Sequence, residues 1–250
     1  MKIAVVGGTG LAGQSTVRAL RERGHAAVVL SRSQGVDVIT GQGLDAALTG
    51  VEAVVDASST QAADVDSARR FFTQGTENLL AAERRAGVKH HVLLSIVGVD
   101  RSGGNPHFQA KRAQEVVLES SRVPVTIQRA TQFYEFIEMV MSWARQGDAI
   151  TLPPLALQPV AVNEVGAVLA ELAAGAPQGR ALDIAGPEKR ELIEMARRIL
   201  AVRGDAARLV TSWQNALTQG EIPADHFLPG PETRILPTTF DAWLSAQAAR

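Results

Sequence analysis

The sequence predicts an α/β protein with a doubly wound parallel sheet, and three observations support this prediction. Short apolar runs alternate along the chain with segments of helical periodicity. The runs are continuously apolar, which is typical of strands buried on both faces of a sheet. A glycine-rich turn, in VVGGTGLAGQS, joins the first run to the first helical segment. Such alternation gives parallel strands with helices on both faces.

The expected elements can be placed in order along the first 130 residues or so. Six apolar runs are the predicted strands, and they span residues 3–6, 26–30, 36–39, 51–55, 92–94 and 123–127. The first helix should end at Gly24, because Arg21 and Arg23 precede this glycine. In the third helical segment Val65, Ala68, Phe72, Leu79 and Ala82 share one face. After about residue 133 prolines interrupt the pattern, and further helices are expected near residues 163–172 and 188–202.

Composition excludes several classes of protein. The chain has 250 residues, 46% of them hydrophobic, with a formal net charge of −1 and no cysteine. We therefore expect no disulfides, and no basic stripe indicates a nucleic-acid partner. No metal-ligand spacing occurs, and no apolar stretch is long enough for a signal peptide core or a membrane span. The expectation is a cytoplasmic protein with no metal and no membrane partner, whose oligomeric state, monomer or homodimer, is open.

The glycine turn has the pattern of a dinucleotide-binding loop. Gly8, Gly10 and Gly13 fit G-x-G-x-x-G, between a predicted strand and a predicted helix. Glycines here allow the backbone to approach a pyrophosphate, and the helix N-terminus offers free N–H groups. The alternative is a tight turn with a purely structural role.

The end of the second strand favours NADP(H) over NAD(H). A cofactor with a free 2′-hydroxyl usually meets an acidic residue at this point, but Ser31 and Arg32 stand here. Arginine suits a 2′-phosphate by charge and by the geometry of its donors. Otherwise Arg32 is a solvated loop residue.

Four segments together resemble the atypical short-chain dehydrogenase/reductase superfamily, and within it the NmrA-like, NAD(P)H-binding branch. They are GGTGLAG, the SRS turn, GTENLLAAERRAGVKHHVLLS and AKRAQEVVLESSRVPVTIQRATQF, and the resemblance covers about residues 1–175. It implies a Rossmann-type fold with a nicotinamide cofactor across the carboxyl ends of the strands. Residues 1–132 would form the NAD(P)-binding core, and residues 133–250 a mixed segment that returns to the core and forms a small substrate-binding lobe.

The resemblance also implies roles for individual residues. The pyrophosphate would be held by Gly7, Thr9, Gly10, Leu11 and Ala12, and the adenosine phosphate by Ser31 and Arg32. Ala57, Ser58, Ser59, Ser95, Ile96 and Lys111 would line the riboses and the nicotinamide. Thr131, Gln132 and Phe133 would touch the nicotinamide and the substrate. The candidate catalytic residues are His107, Lys111, Ser95 and Tyr134. The alternatives are a helix-start or pocket-rim residue for His107, a solvated helix face for Lys111, a hydroxyl that caps the strand end for Ser95, and packing for Tyr134.

This chain departs from the family pattern at several positions. Gly41-Gln42 replaces a Gly-Asp pair, and Arg129-Ala130 replaces Arg-Pro. The family's tyrosine four residues before the lysine is His107 here. An imidazole has an ordinary pKa near 6.5, and the Lys111 ammonium should lower that pKa, so His107 would be a weak acid at neutral pH. Gly103 and Gly104 make the preceding loop a candidate lid.

These residues indicate an NADPH-dependent oxidoreductase that transfers hydride to a small conjugated carbonyl or quinone-like substrate. Such acceptors delocalise negative charge and need little help from an acid. Two alternatives stay open: a non-catalytic NAD(P)-sensing regulatory protein, and an isomerase or epimerase with tightly bound cofactor.

Overall fold

The computed structural model describes residues 1–60, 64–101, 106–214, 223 and 225–248. The chain divides into two compact units, residues 1–130 with 163–182, and residues 131–162 with 183–250. Gly103 and Gly104 lie outside the described residues.

The first 130 residues alternate strictly between strand and helix. The elements are β1 (Lys2–Val6), α1 (Leu11–Glu22), β2 (Ala26–Leu30), α2 (Leu44–Ala47), β3 (Ala53–Asp56), α3 (Val65–Ala86), β4 (His90–Ile96), α4 (Pro106–Glu119) and β5 (Val125–Ala130). The strands form a parallel sheet in the order β5-β4-β3-β1-β2. The prediction of a doubly wound parallel sheet is thus confirmed.

Both faces of this sheet are covered. Ala4, Val6 and Val54 pack with Leu79 and Ala82 of α3 in one apolar cluster. Ile3 and Val5 alternate with them, point to the opposite face, and are also fully buried. Burial on both faces explains why these strands are continuously apolar in sequence.

The predicted strand at residues 36–39 does not form. Asp37 accepts hydrogen bonds from the backbone N–H groups of Ile39 and Thr40, which closes a turn. Gly41 and Gly43 adopt positive φ angles, so the backbone reverses again within a few residues. Val36 is buried against the α3 cluster, with Val38 packed beside it. The run is therefore apolar because its valines pack on the core, although they do not form a strand. As a result, β2 is the end strand of the described sheet.

The next elements in the chain are α5 (Tyr134–Trp143), β6 (Arg145–Gln146), β7 (Ala149–Leu152) and β8 (Ala156–Leu157). They are followed by α6 (Val162–Ala174) and β9 (Gly179–Arg180), which lie largely in the first unit. There β9 pairs in parallel with β5. A Cβ on Gly166 of α6 would lie 2.5 Å from the backbone of Ser15, so α6 packs directly on α1.

The remaining elements belong to the second unit. They are β10 (Asp183–Ala185), β11 (Arg190–Glu191), α7 (Leu192–Arg203), β12 (Arg208–Thr211), β13 (Thr233–Ile235) and α8 (Phe240–Ala248). β7 pairs with β6 and β12, β8 with β11, and β10 with β13. An apolar cluster from α5, α7, α8 and the short strands forms the core of this unit. None of the described helices has the length and apolar character needed to cross a membrane.

Candidate functional site

The glycine loop after β1 is too tightly packed for side chains. Gly7 has a φ of +72°, and a Cβ on it would lie 2.8 Å from the carbonyl oxygen of Ala57. A Cβ on Gly13 would overlap the carbonyl oxygen of Gly7. The N–H of Gly7 donates to Leu30, and the N–H of Gly10 donates back to Gly7. The loop is therefore a bare backbone cradle, of the kind that lets an anionic group approach closely.

Helix α1 begins at this cradle with an uncapped end. Gly10 is its N-cap residue, no side chain accepts a hydrogen bond from the first turn, and no acidic residue lies in that turn. Thr9, Gly10 and Leu11 are exposed, whereas Ala12 is buried. Backbone N–H groups at such a helix start attract negative charge.

The loops that leave the other strands lie at the same edge of the sheet. In the register of the strands Val6 is level with Leu30 on one side and with Asp56 on the other. Asp56 is level with Leu93, two residues before Ser95. The structure thus places Gly7, Ser31, the loop of Ala57, Ser58 and Ser59, and the pair Ser95 and Ile96 at the carboxyl ends of neighbouring parallel strands. This is the edge where open α/β sheets bind ligands.

The turn after β2 presents an arginine to solvent. Arg32 begins a single helical turn that ends at Gly35, whose φ is +77°. The Ser31 hydroxyl lies 2.9 Å from the Ser33 hydroxyl. Arg32 is exposed, and its guanidinium has no ion pair or hydrogen bond within the described ranges. Its predicted role toward a 2′-phosphate stays a prediction.

His107 and Lys111 lie one turn apart on α4 and share a contact. The Lys111 Nζ lies 4.9 Å from the centroid of the Phe72 ring, and the His107 ring meets the same ring edge-on at 5.5 Å. Lys111 is only 4% exposed, so it does not lie on a solvated helix face. The structure brings these two predicted residues together, with Phe72 as their common support.

Burial changes the acidity of both groups. Burial, and to a smaller extent the Lys111 ammonium, lower the pKa of His107 to about 4. Burial also lowers the pKa of Lys111 to about 8, although the charges of Asp56 and Glu115 oppose the shift. His107 is therefore neutral near pH 7, as expected, but burial contributes more to this than the ammonium does.

Lys111 is held by groups that sequence reasoning did not single out. Its Nζ donates to the Leu94 carbonyl oxygen at 2.8 Å and to the Gln114 Oε1 at 2.6 Å. The Gln114 Nε2 donates in turn to Asp56 at 2.9 Å and to the Thr76 hydroxyl at 3.0 Å. One sequence signal for this network exists: Asp56 is an acid that ends an otherwise apolar strand.

Ser95 is buried at the end of β4, and its hydroxyl has no hydrogen-bond partner among the described residues. Near the ends of β4 and β5, Arg129 donates to both oxygens of Glu115, at 2.8 and 2.6 Å, and to Asp100 at 2.9 Å. Burial would raise the pKa of Glu115, but the hydrogen bonds and charges around the carboxylate, those of Arg129 foremost, together lower that pKa below its ordinary value. The pair therefore lies buried as ions beside the strand ends.

The two histidines that open β4 are also buried. The His91 Nδ1 lies 2.8 Å from the Glu83 Oε1, with both side chains fully enclosed. The His90 Nε2 lies 2.8 Å from the Thr126 hydroxyl. Burial, followed by the nearby Asp56 charge, raises the pKa of Glu83, although His91 opposes the rise. Glu83 of α3, the partner of His91, was not singled out from the sequence.

Residues 131–134 belong to the second unit. The Thr131 hydroxyl donates to the Gln158 carbonyl oxygen at 2.7 Å, and Phe133 forms a β-bridge with Val160. The side-chain oxygen and nitrogen of Gln132 are both buried without a hydrogen-bond partner within the described chain. Contacts with a ligand stay predictions for all three of the residues Thr131, Gln132 and Phe133.

Tyr134 lies in the core of that unit. Its ring is fully buried between Phe240 and Trp243, at centroid distances of 5.7 and 5.5 Å. Its hydroxyl donates to the Thr238 carbonyl oxygen at 3.1 Å. Tyr134 is therefore a packed aromatic residue of this core, and a catalytic role for it stays a prediction.

The model of the NmrA-like family matches residues 1–188. The chain belongs to the NmrA-like family. This confirms the branch that the glycine loop and the later motifs indicated.

Two curated relatives of this NmrA-like protein differ in their described roles. The photosystem II assembly factor Ycf39 of Synechocystis sp. is 31% identical over 149 residues, which are 54% of this chain and 46% of that protein. The 2-alkyl-3-oxoalkanoate reductase of Stenotrophomonas maltophilia is 34% identical over 120 residues, 42% of this chain and 36% of that protein. The chain spans about half the length of the Ycf39 proteins it matches.

Solved structures extend the similarity to nearly the whole chain. DesIV, a dTDP-glucose 4,6-dehydratase from Streptomyces venezuelae with NAD bound, superposes with a TM-score of 0.73 at 18% identity, covering 100% of this chain and 96% of that one. The NADPH complex of the quinone oxidoreductase QOR2 from Escherichia coli gives 0.65 at 19% identity, covering 84% and 77%. At these identities the similarity shows the fold alone.

Proposed function

We propose that this NmrA-like protein is an NADPH-dependent reductase of a small conjugated carbonyl or quinone-like acceptor. The observation that carries the proposal is the bare backbone cradle at Gly7 and Gly13, where a Cβ would clash with the backbone of Ala57 or with that of Gly7, so that the turn before α1 is built from backbone alone. The same sheet edge brings His107 and Lys111 together on Phe72. QOR2, one of the similar structures, is described as a quinone oxidoreductase in complex with NADPH.

In this proposal the cofactor lies along the strand ends of the first unit. The cradle residues Gly7, Thr9, Gly10, Leu11 and Ala12 would hold the pyrophosphate, and Ser31 and Arg32 the adenosine phosphate. The exposed Arg32 supports NADP(H) over NAD(H), since its guanidinium has no partner of its own in the described chain. Lys111 would bind the nicotinamide ribose. The riboses and the nicotinamide would also be lined by Ala57, Ser58, Ser59, Ser95 and Ile96.

The acceptor class follows from the acidity of the residues. The bound cofactor would supply the hydride. With a pKa of about 4, His107 is neutral at pH 7 and offers an N–H hydrogen bond but no readily released proton. A quinone or enone spreads the incoming negative charge over several atoms, so positioning and a weak donor suffice and water can deliver the proton. Reduction of an isolated ketone would be slow.

NADPH oxidation by the purified protein tests this proposal. A panel of quinones, enones and simple ketones is offered, and the loss of NADPH absorbance is followed. We expect turnover with conjugated acceptors and little with ketones. Tight NADPH binding without turnover on any acceptor would overturn the reductase proposal.

A regulatory protein that binds the cofactor without consuming it is the second candidate. The family's tyrosine is absent here, and a similar protein is described as an assembly factor. Such a protein would bind NADPH and NADP⁺ and would retain a protein partner in pull-down experiments. Measurable turnover without any such partner would argue against it.

We also propose that residues 133–250 supply the substrate-binding lobe.

A further inference from the structure

The side chain of Gln114 lies between two buried charges. Its Oε1 accepts a hydrogen bond from the Lys111 ammonium at 2.6 Å, and its Nε2 donates to the Asp56 carboxylate at 2.9 Å. The second N–H of the same nitrogen is available to the Thr76 hydroxyl at 3.0 Å. All four side chains are buried. Every polar atom of the amide is therefore used, on β3, α3 and α4 at once.

Asp56 connects this group to the cofactor cradle. Its other oxygen, Oδ1, accepts the backbone N–H of Ser58 at 2.9 Å, which shapes the loop that follows β3. The backbone of Ser58 is in turn the surface against which Gly7 packs, since a Cβ on Gly7 would lie 2.9 Å from the Ser58 nitrogen. A continuous path of contacts thus runs from Lys111 through Gln114 and Asp56 to the glycine loop.

Only a primary amide fits this position without a change of charge. The ammonium needs an acceptor and the carboxylate needs a donor, and the amide supplies one of each. A methionine of similar size would leave both charges buried without this partner, which is costly. A glutamate would satisfy Lys111 but would set a second carboxylate against Asp56.

We propose that Gln114 is a positioning residue that fixes the Lys111 ammonium and ties it, through Asp56, to the loop of Ser58 and the glycine cradle. This inference rests on the proposed function, because it concerns how the chain holds the nicotinamide cofactor. Gln114 touches no ligand itself. It sets the location of the ammonium that would meet the ribose, and it couples that ammonium to the loop against which the pyrophosphate cradle is built.

Several titratable groups lie around Lys111 and bear on any pH test. His107 and Glu115 are on its own helix, Asp56 is on β3, and His91 is on β4. Phe72 of α3 contributes only its ring face. Because His107 and Glu115 remain in every Gln114 variant, their contribution is removed by reporting each affinity relative to the unmodified protein at the same pH.

The first experiment is calorimetric titration with NADP⁺, which requires no turnover. Gln114→Met should weaken binding by between about tenfold and a hundredfold, as for a lost hydrogen bond to a charged group. Gln74→Met, at an exposed glutamine of α3, is the matched control and should bind like the unmodified protein. Thermal unfolding of each variant shows that the protein titrated is folded. Unchanged affinity in a folded Gln114→Met protein would overturn the inference and leave the proposed function intact.

Two further variants separate positioning from general structural damage. In a Lys111→Met background the Gln114→Met change should cause little additional loss, because Gln114 acts through the ammonium. Gln114→Glu should bind poorly at pH 8 and recover toward normal affinity near pH 5, where the new carboxyl group takes up a proton and can again donate to Asp56. Additive losses, or a Gln114→Glu defect that is independent of pH, would contradict the proposal. If the unmodified protein binds no NADP⁺, the proposed function fails and this inference fails with it.

Discussion

Replacing Arg129 with methionine tests how strongly the buried ion pair beside the strand ends stabilises the protein. The side chains of Arg129 and Glu115 are 3% and 1% exposed, and two hydrogen bonds of 2.8 and 2.6 Å join them. Methionine fills much of the same volume but leaves the Glu115 carboxylate buried, with the partly exposed Arg112 as its remaining ion-pair partner in the described chain. Removing one member of such a pair costs about 3–5 kcal/mol.

That cost corresponds to a measurable change in melting temperature. For a protein of this size each kcal/mol shifts the midpoint by about 2–4 °C, so we expect a decrease of roughly 6–20 °C by calorimetry at pH 7. Arg85→Met is the matched control, because Arg85 and Asp45 form an ion pair whose side chains are 60% and 69% exposed. An exposed pair contributes at most about 1 kcal/mol, hence no more than about 4 °C.

The difference in melting temperature between the unmodified protein and Arg129→Met should become smaller as the pH falls. Arg129 holds the folded-state pKa of Glu115 below its ordinary value, so this interaction stabilises the protein above the unfolded pKa and is lost as the pH falls through the folded one. In Arg129→Met the same carboxylate would be buried without its partner and would take up a proton more readily. The melting temperatures of the unmodified protein and of Arg129→Met should therefore converge on acidification. Equal effects of Arg129→Met and Arg85→Met at pH 7, or a gap that widens toward acid pH, would refute the reasoning.

Three other predictions concern the cofactor and the proposed chemistry. Arg32→Glu should weaken NADPH binding more than NADH binding, measured by fluorescence titration, and equal losses would refute a phosphate contact. His107→Phe should reduce turnover of a quinone more than it reduces NADPH affinity if the imidazole contacts the acceptor; unchanged kinetics would place His107 at the rim. Gly13→Ala should abolish NADP⁺ binding and lower stability, because the new Cβ would overlap the Gly7 carbonyl oxygen, whereas Gly175→Ala has ordinary space and should do neither. Retained binding in Gly13→Ala would mean that the cradle can shift.

Sequence reasoning succeeded where a local pattern has one structural solution. The glycine spacing at Gly8, Gly10 and Gly13 predicts a turn without side chains between a strand and a helix, and the structure has that turn. It failed at residues 36–39, because an apolar run indicates burial but does not decide between a strand and a packed loop. The turn closed by Asp37 and the packing of Val36 and Val38 on α3 decide that case.

The residues of the candidate site also fall into two groups, those predicted from the sequence and those that were missed. Lys111 and His107 were found through the resemblance to the family, whose tyrosine and lysine lie four positions apart, a spacing that puts both residues on one face of a helix. Gln114, Asp56 and Glu83 were missed. The contact between Gln114 and Asp56 joins residues 58 positions apart, and Glu83 meets His91 only because α3 folds back on β4. No local spacing reports such contacts.

By itself, the sequence determined the parallel α/β architecture, the glycine cradle and the absence of the family's tyrosine, since each depends on residue type and short-range spacing. Tertiary structure alone decided how far burial shifts the pKa values of His107 and Lys111. Burial, with a smaller contribution from the Lys111 ammonium, lowers the pKa of His107 to about 4, and burial lowers that of Lys111 to about 8. The physical reason is that the loss of water around a charge depends on every element that packs over it, and no stretch of sequence contains that information.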